Sequence, residues 1–271
     1  MTTEPPPLTE PSVEAPPPPA PSLGGLRELT FFLLAAFALF LLVQIGALNF
    51  LVWEAAQRSP GREWAELSRE VSERHQSNAF LIVPVQAISY ALLLILLYAL
   101  LRRRNLPFWS SLAVRPLAAG HAATAVVAGI LLAMLIQLAN AIVPPPEPLA
   151  LDRLFSSRAA AQLIMAASLL LAPLVEEIVF RGYIYGLLEK VWGAAAAVLA
   201  SGLLFGSIHF PQLWPGYFQM LLLCVVGLVF SLTRAQTGNT TASIVLHFGY
   251  NATISVLFML SPAFRALPAL S

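Results

Sequence analysis

Two adjacent carboxylates, Glu176 and Glu177, and an arginine, Arg181, follow directly on the apolar run Leu163–Leu171. A charge near the centre of a bilayer costs about 3 kcal/mol or more, so residues of this kind ordinarily face a partner or a cavity and mark function. Two further polar pairs interrupt apolar runs downstream: Phe205 with His209, and His247 with Asn251. Each pair has i,i+4 spacing and so lies on one face of a helix. Glu177 and Arg181 share that spacing, while Glu176 points about 100° away round the helix. The expected division is that Arg181 holds Glu177 as structural support and leaves Glu176 free for chemistry.

A desolvated carboxylate holds its proton more tightly than one in water, which suits it to act as a general base near neutral pH. Glu176 and His209 together can hold and deprotonate a water molecule. His247 and Asn251 supply donors suited to the oxyanion of a tetrahedral intermediate. Phe205 is expected to pack and position His209. Asn251 is also ordinary interhelical glue in membranes. Two histidines and a carboxylate can instead bind Zn²⁺. No His-Glu-x-x-His and no cysteine cluster favours metal, so no cofactor is expected and zinc stays open.

The elements that must position these residues are membrane spans. The chain has 271 residues, 58% hydrophobic and 11% charged, with mean hydropathy +0.76. Soluble domains carry roughly 25% charged residues. Its apolar runs reach the roughly 20 residues a spanning helix needs, and helices are favoured over a barrel. Net charge is +1, which argues against a nucleic-acid partner. The only cysteine, Cys224, reads as a packing residue.

The fold expected is all-α, a polytopic transmembrane helical bundle of about seven spans with a buried polar catalytic cavity. Residues 1–25 read as a Pro-rich, solvated cytoplasmic tail and not as a signal peptide. One membrane domain follows over 26–271. Spans are expected at Thr30–Val52, Ala79–Leu101, Gly120–Val143, a long helix Ala159–Leu188, Ala194–Phe210, Tyr217–Leu232 and Thr240–Leu260. The turn after the long helix should lie near Lys190. The polar stretch Glu54–Gln76 is expected outside. Arg102-Arg103-Arg104 and Arg115 place their loop, and the N-terminus, in the cytoplasm by the positive-inside rule. Tyr183, Trp192, Trp214 and Tyr217 suit interfacial belts, and Gly182 and Gly186 suit close helix packing. Counting residues back from the turns, at about 1.5 Å each, brings the three polar pairs to similar depth. They are therefore expected to form one site.

Glu-Glu-x-x-x-Arg-Gly, Phe-x-x-x-His and His-x-x-x-Asn, in this order on successive apolar segments, resemble the CPBP family. These are the CAAX prenyl endopeptidase-like and bacteriocin-processing membrane proteases, also labelled Abi. The resemblance covers the motif core 159–260. It implies a helical core round a conical cavity open to the cytosol, and peptide-bond hydrolysis by a glutamate-activated water without an obligatory metal. By motif position it implies Glu176 and His209 as the water-activating pair, and His247 and Asn251 as the oxyanion site. Glu177 and Arg181 match the second acid and the arginine. The implied partners are the lipid bilayer and a membrane-associated peptide or protein substrate, prenylated CAAX peptides among them. The implied location is a bacterial-type inner membrane. Two other classes fit the same residues: a non-catalytic immunity or scaffold protein, and a proton-coupled transporter using Glu176 and His209 as a relay.

Overall fold

The computed structural model describes residues 23–269. The expected tail therefore lies outside the described residues except for its last few positions. Every regular element among the described residues is helical. In chain order these are α1 Leu26–Arg58, α2 Trp64–Gln76, α3 Ala79–Arg103, α4 Phe108–Ser111, α5 Ala119–Ile142, a 3₁₀ turn Ala150–Leu154, α6 Arg158–Leu170 and α7 Ala172–Glu177. A π-helical segment Ile178–Ile184 follows, then α8 Tyr185–Ile208, α9 Phe210–Leu213, α10 Tyr217–Thr237, α11 Thr240–Leu260 and α12 Pro262–Ala266.

Among the described residues, six stretches are long and apolar enough to cross a membrane. One of them, Arg158–Ile208, is 51 residues long and folds back on itself. Gly193, at φ 81° and ψ 168°, breaks the helix within α8 in a region that side chains with a Cβ rarely adopt. Ser201 Oγ then donates to the Phe180 carbonyl oxygen at 3.1 Å. In a straight helix residues so far apart in sequence would be separated by about 30 Å. The stretch is thus two antiparallel arms, which restores the seventh crossing. The reversal falls at Gly193, three residues past Lys190 and inside the gap between the expected spans ending at Leu188 and starting at Ala194.

Two further boundaries depart from expectation. The long helix is not one continuous α-helix. Its ladder is interrupted at Leu171, just before Pro173, which has no N–H to give. It then widens at Ile178–Ile184, where the Tyr185 N–H reaches back to the Phe180 carbonyl. In the returning arm the helix stops at Ile208, and Pro211 lies within the short α9.

Close backbone approach welds the bundle. A Cβ at Gly129 would lie 2.3 Å from the Leu246 carbonyl oxygen, so α5 and α11 touch main chain to main chain. A Cβ at Gly227 would lie 2.4 Å from the Gly202 carbonyl oxygen, which does the same for α10 and α8. Small residues are how membrane helices approach this closely. Gly182 and Gly186, the expected packing glycines, sit instead against Leu112 and Leu23. α1 contributes little to this core: 6% of its apolar window is buried, against 33% for α10 and α11. It is apolar all round because it faces lipid.

Contacts between loops sort the turns into two ends. At one end Glu28, in the first turn of α1, pairs with Arg104 and accepts from Tyr183 Oη at 2.9 Å. Lys190 Nζ donates to the Leu23 carbonyl, and Thr240 Oγ1 to that of Leu112 at 2.6 Å. At the other end the Ala150 N–H donates to the Trp214 carbonyl, and Gln219 donates to that of Val143. The start of α1, the arginine loop, Lys190 and the Gly238 turn therefore share one side, as the charge pattern requires. Tyr183 is fully buried and ties α1 to the core; it is not a belt residue.

Candidate active site

The second carboxylate is the better fixed of the two. Glu177 and Arg181 are both 0% exposed, and Arg181 Nη1 donates to Glu177 Oε1 at 3.0 Å. Arg181 Nη2 donates to the Gly227 carbonyl at 2.8 Å. The guanidinium lies over the rings of Phe205 and Phe230, at 4.5 and 5.3 Å from their centroids. Stacked, bonded and paired, it anchors the outgoing arm to α8 and α10. This is the pairing the i,i+4 spacing predicted.

Glu177 has a further partner that the spacing did not reveal. His247 Nδ1, on α11, lies 2.9 Å from Glu177 Oε1. An acceptor carboxylate fixes Nδ1 as the N–H of that ring. The histidine is then oriented by a second carboxylate, much as an acid orients an imidazole in a catalytic triad. Phe230 packs on the same ring at 4.5 Å between centroids. His247 can donate to an oxyanion through Nε2 only as the imidazolium, with both nitrogens protonated. In that state Glu176, Glu177, Arg181 and His247 sum to zero charge, which is the arrangement a low-dielectric site favours.

Glu176 lies outside this cluster and is only partly buried. Its Oε1 accepts from the hydroxyl of Tyr90, on α3. His209 caps the returning arm. Its Nδ1 lies 2.7 Å from the Phe205 carbonyl oxygen, which can only accept, so Nδ1 carries the proton and a neutral ring offers its lone pair at Nε2. Phe205 packs on the His209 ring at 4.9 Å between centroids. His209 and Glu176 make no direct hydrogen bond among the described residues. Each is half-buried with an open polar atom.

Asn251 is partly spent on the scaffold. Its Nδ2 donates to the Ser168 carbonyl at 2.7 Å. That carbonyl lies in the last turn of α6, where backbone acceptors lack helical partners. One of the two amide N–H groups remains for other work.

The structure thus joins Glu177, Arg181, His247 and Phe205 in one bonded and stacked cluster and sets Glu176 beside Tyr90. His209 is tied to the cluster through Phe205. Sequence reasoning missed Tyr90 altogether. Its one signal was a hydroxyl close to the middle of the span Ala79–Arg103, away from the interfaces where tyrosines gather. No three or more His, Cys, Asp or Glu side chains among the described residues are grouped to hold a metal ion. A pocket of about 540 Å³ lies between Pro146–Arg153 and Trp214–Tyr217, and none of the site residues lines it.

Residues 158–253 match the family described as type II CAAX prenyl endopeptidase Rce1-like. No curated protein and no solved structure matches the chain. The matched stretch holds Glu176, Glu177, Arg181, Phe205, His209, His247 and Asn251, so the chain's similarity to that family runs through the residues of this site, in a protein whose described residues carry six stretches apolar enough to cross a membrane.

Proposed function

We propose that the protein is an intramembrane endopeptidase of glutamate type, acting on a membrane-associated peptide of the prenylated CAAX kind. The observation that carries the reading is the unequal use of two neighbouring carboxylates. Glu177 is fully buried and its Oε1 takes both Arg181 and His247, leaving Oε2 shut away in the interior, while Glu176 is only half-buried, as His209 is, and keeps one oxygen open.

In this mechanism a water molecule held by Glu176 and the His209 Nε2 attacks the scissile carbonyl carbon. Glu176 takes the water proton as the C–O bond forms. The oxyanion is met by Nε2–H of the His247 imidazolium, backed by Glu177, and by the remaining N–H of Asn251. Collapse breaks the C–N bond, and the proton held by Glu176 passes to the departing amine. This chain's own groups supply each step, and no metal is required.

The experiment is turnover of a cleavable peptide panel by purified protein. Glu176→Gln should abolish cleavage with the fold intact, since Gln keeps the shape and cannot take the proton. Asn251→Ala should leave a residual rate, because one lost oxyanion donor costs about 10²–10³-fold. Activity that disappears with chelator and returns with zinc would overturn the metal-free mechanism. Undiminished cleavage by Glu176→Gln would overturn the assignment of the base.

The same reading places the protein in a bacterial-type inner membrane, with the Arg102–Arg115 side and the N-terminal tail in the cytoplasm. The support is the arginine cluster on that side. A cysteine at Ser68 should be labelled by an impermeant reagent from outside, and one at Ser110 should not. The reverse pattern would invert the orientation.

A further inference from the structure

α3 lies outside the family-matched stretch 158–253, yet it reaches the proposed base. Tyr90 Oη donates to Glu176 Oε1. α3 packs against α6, which leads directly into the short α7 that carries Glu176. A phenol near the middle of a span gains nothing from an interfacial belt, and its hydroxyl must find a partner there. Here the partner is a carboxylate that the Glu177 cluster leaves alone.

We propose that Tyr90 is a positioning residue for the proposed hydrolysis, pinning Oε1 of Glu176 so that Oε2 faces the water. The inference rests on Glu176 being the base. A carboxylate with both oxygens free rotates between orientations, and only some of them are productive. The hydroxyl removes that freedom by holding one of the two oxygens. The bundle core alone is then incomplete, and α3 completes the site from a part of the chain with no family signature.

Tyr90→Phe removes one oxygen from a helix whose packing is otherwise kept. A hydrogen bond to a charged group contributes enough that its loss should lower kcat by about 10- to 100-fold with KM unchanged. Tyr98→Phe makes the same chemical change about two turns further along α3. That residue is 51% exposed to the surroundings of the bundle, and the variant should behave as wild type. 3-Fluorotyrosine at position 90, which keeps the hydroxyl, should restore the rate.

A second readout needs no substrate. The infrared carboxylate band of Glu176, assigned by its loss in Glu176→Gln, should shift in Tyr90→Phe and stay put in Tyr98→Phe. A shifted band in a protein that cleaves nothing would refute the protease reading and leave the Tyr90 contact standing. Wild-type kcat and band position in Tyr90→Phe would overturn the proposal. So would a rate loss matched by an equal fall in folded fraction.

Discussion

Of the arginines that hold carboxylates at hydrogen-bond distance in this molecule, Arg181 and Arg62 sit in opposite surroundings. Arg181 meets Glu177 at 3.0 Å with both side chains 0% exposed. Arg62, in the loop before α2, meets Glu66 at 2.7 Å and Glu70 at 2.9 Å, with the acids 61% and 63% exposed. By distance the surface cluster is the tighter one. By consequence it is the weaker one, because exposed pairs are screened by water and salt. At depth neither charge has an alternative partner. The pair's own net value there is small, and the cost falls on whoever is left behind when one member is removed. The chain places its irreplaceable ion pair next to the proposed chemistry and its replaceable ones on the polar helix outside the bundle.

The largest effect expected is on Arg181. Arg181→Ala strands the Glu177 carboxylate, frees the Gly227 carbonyl and empties the space over Phe205 and Phe230. Removing one partner of a buried pair costs about 3–5 kcal/mol, so melting in detergent should fall sharply or the folded yield should collapse. If no folded protein is recovered, Arg181→Lys keeps the charge without the planar fork and should melt between the two. Glu177→Gln should cost less than Arg181→Ala, because the amide oxygen still accepts from Arg181 and the shape is kept. Its activity should nevertheless drop, since His247 loses the anion that supports an imidazolium. Equal, unperturbed melting of all three would break the contrast between the two arginines.

The local half of this site was legible in the sequence. Glu177 with Arg181, and Phe205 with His209, are i,i+4 pairs whose partners lie on one helix face whatever the tertiary structure does. The last span was legible for the same reason: Asn239 caps it by accepting from the Thr241 N–H, and Thr240–Leu260 is apolar to its end. The long-range half was not. His247 reaches Glu177, Asn251 reaches Ser168 and Tyr90 reaches Glu176 across 70 or more residues, and no periodicity encodes which distant helix a side chain will meet. The π-helical segment was hidden because Ile178–Ile184 has nothing in its composition that separates a wide turn from an α turn. The reversal at Gly193 was legible, since it falls in the short polar gap between the expected spans ending at Leu188 and starting at Ala194. Tyr183 was misread because an aromatic with a hydroxyl suits a belt as well as a core, and only the Glu28 contact separates the two.

The smallest effect expected is on Arg62. Its hydrogen bond holds the Glu66 carboxyl below the usual range for a glutamate. A carboxyl depressed in the folded state contributes stability above its unfolded value, and that contribution fades as pH falls through the folded one. The window therefore lies at and below the ordinary glutamate value of about 4.3. Above it, Arg62→Ala should lower melting slightly at low salt, because it loses contacts to two acids at once. Added salt should erase the difference by screening, and so should acidification to about pH 3, where the glutamates are neutral with or without the arginine. The measurement is the melting difference between wild type and Arg62→Ala at neutral and acid pH, each at low and high salt. A small difference confined to neutral pH and low salt would sharpen the comparison with Arg181. A loss as large as that of Arg181→Ala, or one indifferent to salt, would show that α2 is held to the bundle through this cluster, and exposure would no longer separate the two arginines.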